Sequence, residues 1–192
     1  MDQKHTVTLY SSQRDEVVDL IEKEAVYFVK MRFIREKYEE VAEVFLTAYR
    51  WYVQNAPQYV PKPDEAESAV WAFPDLRNLD RVSGYKLLTL EVPKEDVIFF
   101  DMLEWSDILN FRYIGEKEDA EAFRDKLRRQ GVTEPMDIIT TPFYPLLKRE
   151  LQDSWKNLFR FQDEIKIGRP TPSGHVQAGL WQIKKEWILS IE

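Results

Sequence analysis

The sequence predicts an α+β fold: a single compact domain over residues 1–192, with a small mixed or antiparallel sheet flanked by about four to five helices. Three observations lead there. Strand-like and helix-like segments come in runs of like kind, not in the regular alternation that builds a doubly wound parallel sheet. With 192 residues, 44% of them hydrophobic and 14% aromatic, the chain can bury a sizeable core. No repeat, low-complexity tract or interdomain linker divides it. Only two loops stand out, a proline-rich one near residues 55–68 and a Pro/Gly one near 166–174.

The elements follow from periodicity. "TVTLY" (6–10) alternates and is rich in β-branched and aromatic residues, so it is a short strand, with Ser11 and Ser12 as turn or cap. Val17, Leu20, Ile21, Glu24, Ala25 and Phe28 then fall near one helical face. A second helix places Tyr38, Val41, Ala42, Phe45, Ala48, Tyr49 and Tyr52 at three- and four-residue steps. Asn55–Ser68 carries three prolines, which lack an amide donor and bias their predecessors away from helix, so it reads as a mobile loop. "AVWAF" (69–73) is a short buried strand. "YKLLTLEV" (85–92) points Leu88, Leu90 and Val92 inward, and "VIFF" (97–100) follows the "PKED" turn as another strand. A helix over Glu118–Gln130 stops at Gly131. Thr141 before Pro142 has the form of an N-cap, opening a helix with Leu147, Leu151, Ser154, Trp155 and Leu158 on one side. "QAGLWQI" and "WILSI" close the chain as two strands.

Composition excludes several chemistries. A formal charge of −7 works against phosphate backbones and anionic lipid, so neither nucleic acid nor a membrane is an expected partner. Only a gathering of Arg124, Arg128, Arg129, Lys184 and Lys185 on one face would revive nucleic-acid binding. The absence of cysteine removes disulfides, thiolate catalysis and cysteine-ligated zinc, and two histidines cannot build a histidine-rich metal site. The first residues lack the apolar core of a signal peptide and no stretch reaches the length of a membrane span, which points to the cytoplasm. Phosphate-cradling glycine patterns, the G-x-S-x-G elbow and H-E-x-x-H are all missing.

What remains are polar residues beside aromatic strands. Asp101 and Glu104 match a capping box at the start of a helix, and Asp101, Trp105 and Asn110 could equally line a cleft at the end of the preceding strand. Arg77 has the fork to hold a carboxylate or phosphate, or to brace a turn with Asp75. Gln177 opens a late strand, where it either meets a ligand amide or hydroxyl or pairs at the sheet edge.

Several segments together resemble a bacterial family catalogued only as a domain of unknown function. They are "LYSSQ", "AYRWYV", "VWAF" before "PDLR", "LEVPKEDVIFFDMLEWSDILN", "ELQDSWKNLF" and "VQAGLWQIKKEWI", in that order over nearly the whole chain. Typical members are similar to "LWTIQ", "AYDWM" and "VPDEEVLLSDFDLWHYVLN" at three of these places. This chain departs from them at Ser12, where an apolar residue is usual, at Arg50, where an acid is, and at Ser106, where a histidine follows the tryptophan. The last change removes the obvious proton-transfer group.

The layout also resembles, more distantly, ADP-ribosyltransferase-like domains, many of which open with "LYHGT"-like residues and carry a catalytic glutamate at the head of a late strand. That resemblance implies a pocket for NAD, as substrate, or for another nucleotide, formed by Tyr10, Gln13, Trp71, Arg77 and Gln177. Ser11 stands at the place of the histidine and Gln177 at that of the glutamate. Glutamine can hydrogen-bond a ribose but brings no negative charge, so the implied protein is a weak enzyme or pseudo-enzyme, unless another acid such as Glu186 serves. The alternative is a non-catalytic protein–protein interaction, as an inhibitor or accessory protein of bacterial or phage origin.

Overall fold

The computed structural model describes residues 5–38, 42–80 and 82–192. β1 (Thr6–Arg14) runs straight through Ser11 and Ser12, which were expected to turn. The reason is pairing: all nine residues face β4 (Tyr85–Pro93) antiparallel, from Thr6 opposite Pro93 to Arg14 opposite Tyr85. Nine rungs outweigh the weak turn preference of two serines. β4 keeps the expected alternation, with Leu88, Leu90 and Val92 fully buried.

α1 (Asp15–Glu24) is shorter than its apolar spacing suggests. Ala25 adopts a left-handed conformation (φ 62°) and its amide closes on the Ile21 carbonyl, after which β2 (Val26–Tyr27) begins. The second helical stretch is described as α2 (Met31–Tyr38) and α3 (Ala42–Asn55). Ala42, Ala48, Tyr49 and Tyr52 are buried as expected, while Val41 and the side chain of Tyr38 lie outside the described residues. β3 (Val70–Ala72), β5 (Ile98–Asp101) and α4 (Met102–Leu109) follow.

α5 (Lys117–Arg129) ends where Gly131 takes φ 73°, as its sequence foretells. Thr141 does not open a helix. It closes α6 (Pro135–Thr140), its hydroxyl donating to the Asp137 carbonyl at 2.7 Å. α7 (Pro145–Ser154) begins three residues later than Pro142, with Pro145 at the first helical position. α8 (Gln162–Lys166), β6 (Val176–Leu180), β7 (Ile183–Lys184) and β8 (Ile188–Ile191) complete the chain. Eight α-helices among the described residues exceed the four or five expected, because short ones such as α6 and α8 leave little periodicity to read.

Every described strand pair is antiparallel. Two three-stranded sheets, β1–β4–β8 and β3–β6–β5, are accompanied by the small pair β2–β7. Tyr10 and Phe73 stitch the two larger sheets together by exchanging both backbone hydrogen bonds at 2.8 Å. The β3–β6–β5 sheet is covered on both faces. Val70, Ala72, Phe99, Ala178 and Leu180 pack toward β1, β4 and α1, while Ile98, Phe100 and Trp71 pack toward α3, α4 and α7. That second face carries the candidate site.

The loop over 55–68 is fastened rather than loose. Trp181 donates its indole N–H to the Val60 carbonyl at 2.8 Å, and Lys62 donates to the Pro63 and Ala66 carbonyls. Lys30 holds the Glu65 carbonyl at 2.7 Å. No helix among the described residues is long and apolar enough to cross a membrane.

Candidate functional site

Side chains alternate along a strand, so one face of β6 presents Gln177 and Gly179 together. Register places Gly179 opposite Trp71 of β3 and also opposite Ile98 of β5, and Gln177 opposite Phe100. Phe73 lies two residues beyond Trp71 on the same face, and Tyr10 is its partner. Tyr10, Trp71 and Gln177 therefore share one face of the joined sheets. Ser11 and Gln13 project to the other side: the Ser11 hydroxyl donates to the Trp71 carbonyl at 2.8 Å and accepts from the Gln13 carboxamide at 2.8 Å.

Helices α3 and α4 lay aromatic rings on that face. The Trp71 and Trp105 ring centroids are 5.0 Å apart, and Tyr52 meets Trp71 edge-on at 5.1 Å. Tyr49 meets Trp105 at 5.6 Å. Offset and edge-on arrangements of this kind are the favoured ones. Gly179 is what permits the contact: a Cβ there would fall 2.2 Å from the Tyr52 hydroxyl and 3.3 Å from the Trp71 ring. Glycine inside a strand commonly marks such a close approach, the one signal in the sequence for Tyr52.

Two polar groups on this face lack protein partners among the described residues. Gln177 is 5% exposed, and its carboxamide makes no hydrogen bond. The Tyr52 hydroxyl is sealed and unbonded, and burial pushes its phenol well above the ordinary value. Buried polar groups are bonded in the great majority of native structures, so the sealed Tyr52 hydroxyl is an exception, whereas the Gln177 carboxamide is not sealed from solvent.

Asp101 and Glu104 flank the site where β5 passes into α4. Asp101 caps the helix as expected, accepting from the Leu103 amide at 2.9 Å, and also holds the Ser173 amide at 3.2 Å. Burial opposes its charge, but bonds from Ser173, Thr171 and the Leu103 amide prevail and hold its carboxyl below the usual range. Glu104 does not complete the capping box. It turns to Arg160, its other oxygen is buried without a partner, and burial raises its pKa to about 7 against the pull of Arg160.

The remaining sequence candidates fall outside this face. Arg77 is 89% exposed in its side chain and wraps Asp75, whose carboxyl that guanidinium holds at about 2. Asn110 is the exposed C-cap of α4, its carboxamide donating to the Ser106 carbonyl at 2.7 Å. Glu186 lies in the turn between β7 and β8, on the rim of a surface cavity of about 550 Å³ that neither Trp71 nor Gln177 lines. The cations of α5 are interleaved with acids, Arg124 reaching Glu121 and Arg128 reaching Asp125. Among the described residues no cluster of carboxylates and histidines is suited to hold a metal ion.

The family described as Domain of unknown function (DUF3841) matches residues 8–189. No curated protein and no solved structure matches the chain.

Proposed function

This chain belongs to the Domain of unknown function (DUF3841) family, and we propose that it is a cytoplasmic nucleotide-binding protein of ADP-ribosyltransferase-like layout, a pseudo-enzyme rather than an active transferase. One observation carries the reading: Gln177 stands on β6 nearly buried, its carboxamide unbonded, on a face walled by Trp71, Trp105 and Phe100. A carboxamide has donors and an acceptor, and no described protein group engages those of Gln177. A ribose hydroxyl pair or a ring amide would meet them, with the half-buried Tyr10 ring on the same face. In a transferase of this layout a carboxylate at this point steadies an oxocarbenium-like transition state. Glutamine is neutral and cannot, so binding survives the change and turnover does not.

The test is a thermal-shift titration with NAD and a panel of nucleotides. A ligand at about 100 times its dissociation constant adds roughly 2.7 kcal/mol of native-state stability, enough to move the melting temperature by several degrees. The expected result is a saturable shift that Gln177→Ala abolishes. No shift with any nucleotide overturns the reading.

A second reading, a protein–protein interaction module, draws on one observation: Phe143 and Leu146, at the corner between α6 and α7, are 77% and 78% exposed. Under it, Phe143→Ser with Leu146→Ser weakens an association seen by sedimentation and leaves the melting temperature unchanged.

A further inference from the structure

The short pair β2–β7 turns Tyr27 and Ile183 into the core, so Val26 and Lys184, opposite each other in register, face outward. They line the surface cavity of about 550 Å³ together with Ala25, Gln182, Lys185 and Glu186. We propose that this cavity is a second binding site, independent of the Gln177 face, for a small zwitterion: an α-amino acid with an apolar side chain. Its volume falls within the range of small-ligand sites, about 300–1,000 Å³. Its walls are joined before any ligand arrives. The Lys185 amide donates to the Ala25 carbonyl at 2.9 Å, and the Lys185 ammonium meets the Glu22 carboxylate at 2.5 Å.

Charge selects the ligand. Lys185 is neutralised by Glu22, but Lys184 and Glu186 form no ion pair among the described residues, and neither reaches the other. The Gln182 carboxamide has no hydrogen-bond partner there either. Lys184 is steadied by the Trp187 ring, its ammonium 5.0 Å from the centroid, which holds the charge in place without cancelling it. One unmet positive group and one unmet negative group on the same cavity are the complement of a zwitterion. The ligand carboxylate accepts from Lys184, its ammonium donates to Glu186, and the Gln182 carboxamide serves either. A simple anion or cation meets one partner and is repelled by the other. Val26 and the Ala25 methyl supply the apolar wall for the ligand side chain.

The experiment titrates the full chain with L-leucine, N-acetyl-L-leucine and L-leucinamide, following the Trp187 indole N–H by NMR. Leucine is expected to shift that signal saturably. Each blocked compound forfeits one charged contact and is expected to bind about tenfold more weakly. No saturable shift with leucine up to about 10 mM overturns the proposal. So does a blocked compound that binds as well as leucine, because the paired charges would then play no part. Lys184→Met and Glu186→Gln alter side chains at the surface, so both are expected to keep the wild-type melting temperature and to lose about tenfold in leucine affinity. Undiminished binding by both variants overturns the roles given to these residues. Gln177→Ala is expected to bind leucine as wild type does, whatever the nucleotide titration shows, and loss of leucine binding in it overturns the assignment to this cavity.

Discussion

Gly179 and Tyr52 are the closest-fitted pair on the aromatic face, and single substitutions there have calculable signs. A Cβ at 179 would fall 2.2 Å from the Tyr52 hydroxyl and 3.1 Å from its ring carbon, so something must move. Overpacking of this kind costs about 1–3 kcal/mol, and Gly179→Ala is expected to lower urea-unfolding stability by that amount. Tyr52→Phe removes a sealed hydroxyl with no partner, so alone it is expected to be neutral or mildly stabilising. Combined, the two recover part of the loss, because the first clash disappears. Strict additivity of the two changes would show that the pair is not in contact as described. Asp101 is the other sensitive residue. Its carboxylate closes the first turn of α4 and the 171–175 loop together, so Asp101→Ala is expected to cost about 2 kcal/mol, and Asp101→Asn less.

At the scale of elements, what was legible followed the strength of the local pattern. Leu88, Leu90 and Val92 alternate cleanly and lie buried, and Gly131 stops α5 where a left-handed residue is needed. Ser11, Ser12 and Thr141 were misread because capping residues look alike whether they open, close or continue an element. Long-range pairing decided between these, in the serines' case through β4. The two-residue strands β2 and β7 have no period to detect. Of the residues on this face, Trp105 was named from the strand-to-helix junction, Gln177 from its place at the head of a late strand and Trp71 only through the resemblance to ADP-ribosyltransferase-like domains, whereas Tyr52 was read only as a core helix residue, its contact with the later strand β6 invisible in local spacing. The proline-rich loop was expected to be mobile, yet bonds from Trp181 and Lys30 tie it to two other parts of the chain and Lys62 braces it from within. Trp181→Phe keeps the ring and removes the bond to Val60. It is expected to raise the rate of proteolytic nicking within 55–68 severalfold in limited digestion, and unchanged cleavage would mean that bond does not restrain the loop.

For the molecule as a whole, Glu104 makes stability depend on pH in a direction opposite to most carboxylates. Its side chain is 16% exposed, and burial lifts its folded pKa to about 7, above the ordinary value of 4.5. Between those two values the native state binds a proton that the unfolded chain has released, so stability falls as pH rises. Its contribution is complete below about pH 4.5 and gone above about pH 7, with each pH unit of full difference amounting to roughly 1.4 kcal/mol. Asp101 acts in the other sense: its folded value is depressed, so its contribution is lost as pH falls through the acid range. The two together place maximal stability on the acid side of neutrality, with a decline on the order of 2 kcal/mol toward pH 8. Urea unfolding at pH 5, 6, 7 and 8 measures this directly. Glu104→Gln still accepts from Arg160 but cannot ionise, so its profile should be flat over that range and exceed wild type at pH 8. A wild-type profile that rises from pH 5 to pH 8 would mean Glu104 is ionised throughout, its charge fully met by Arg160.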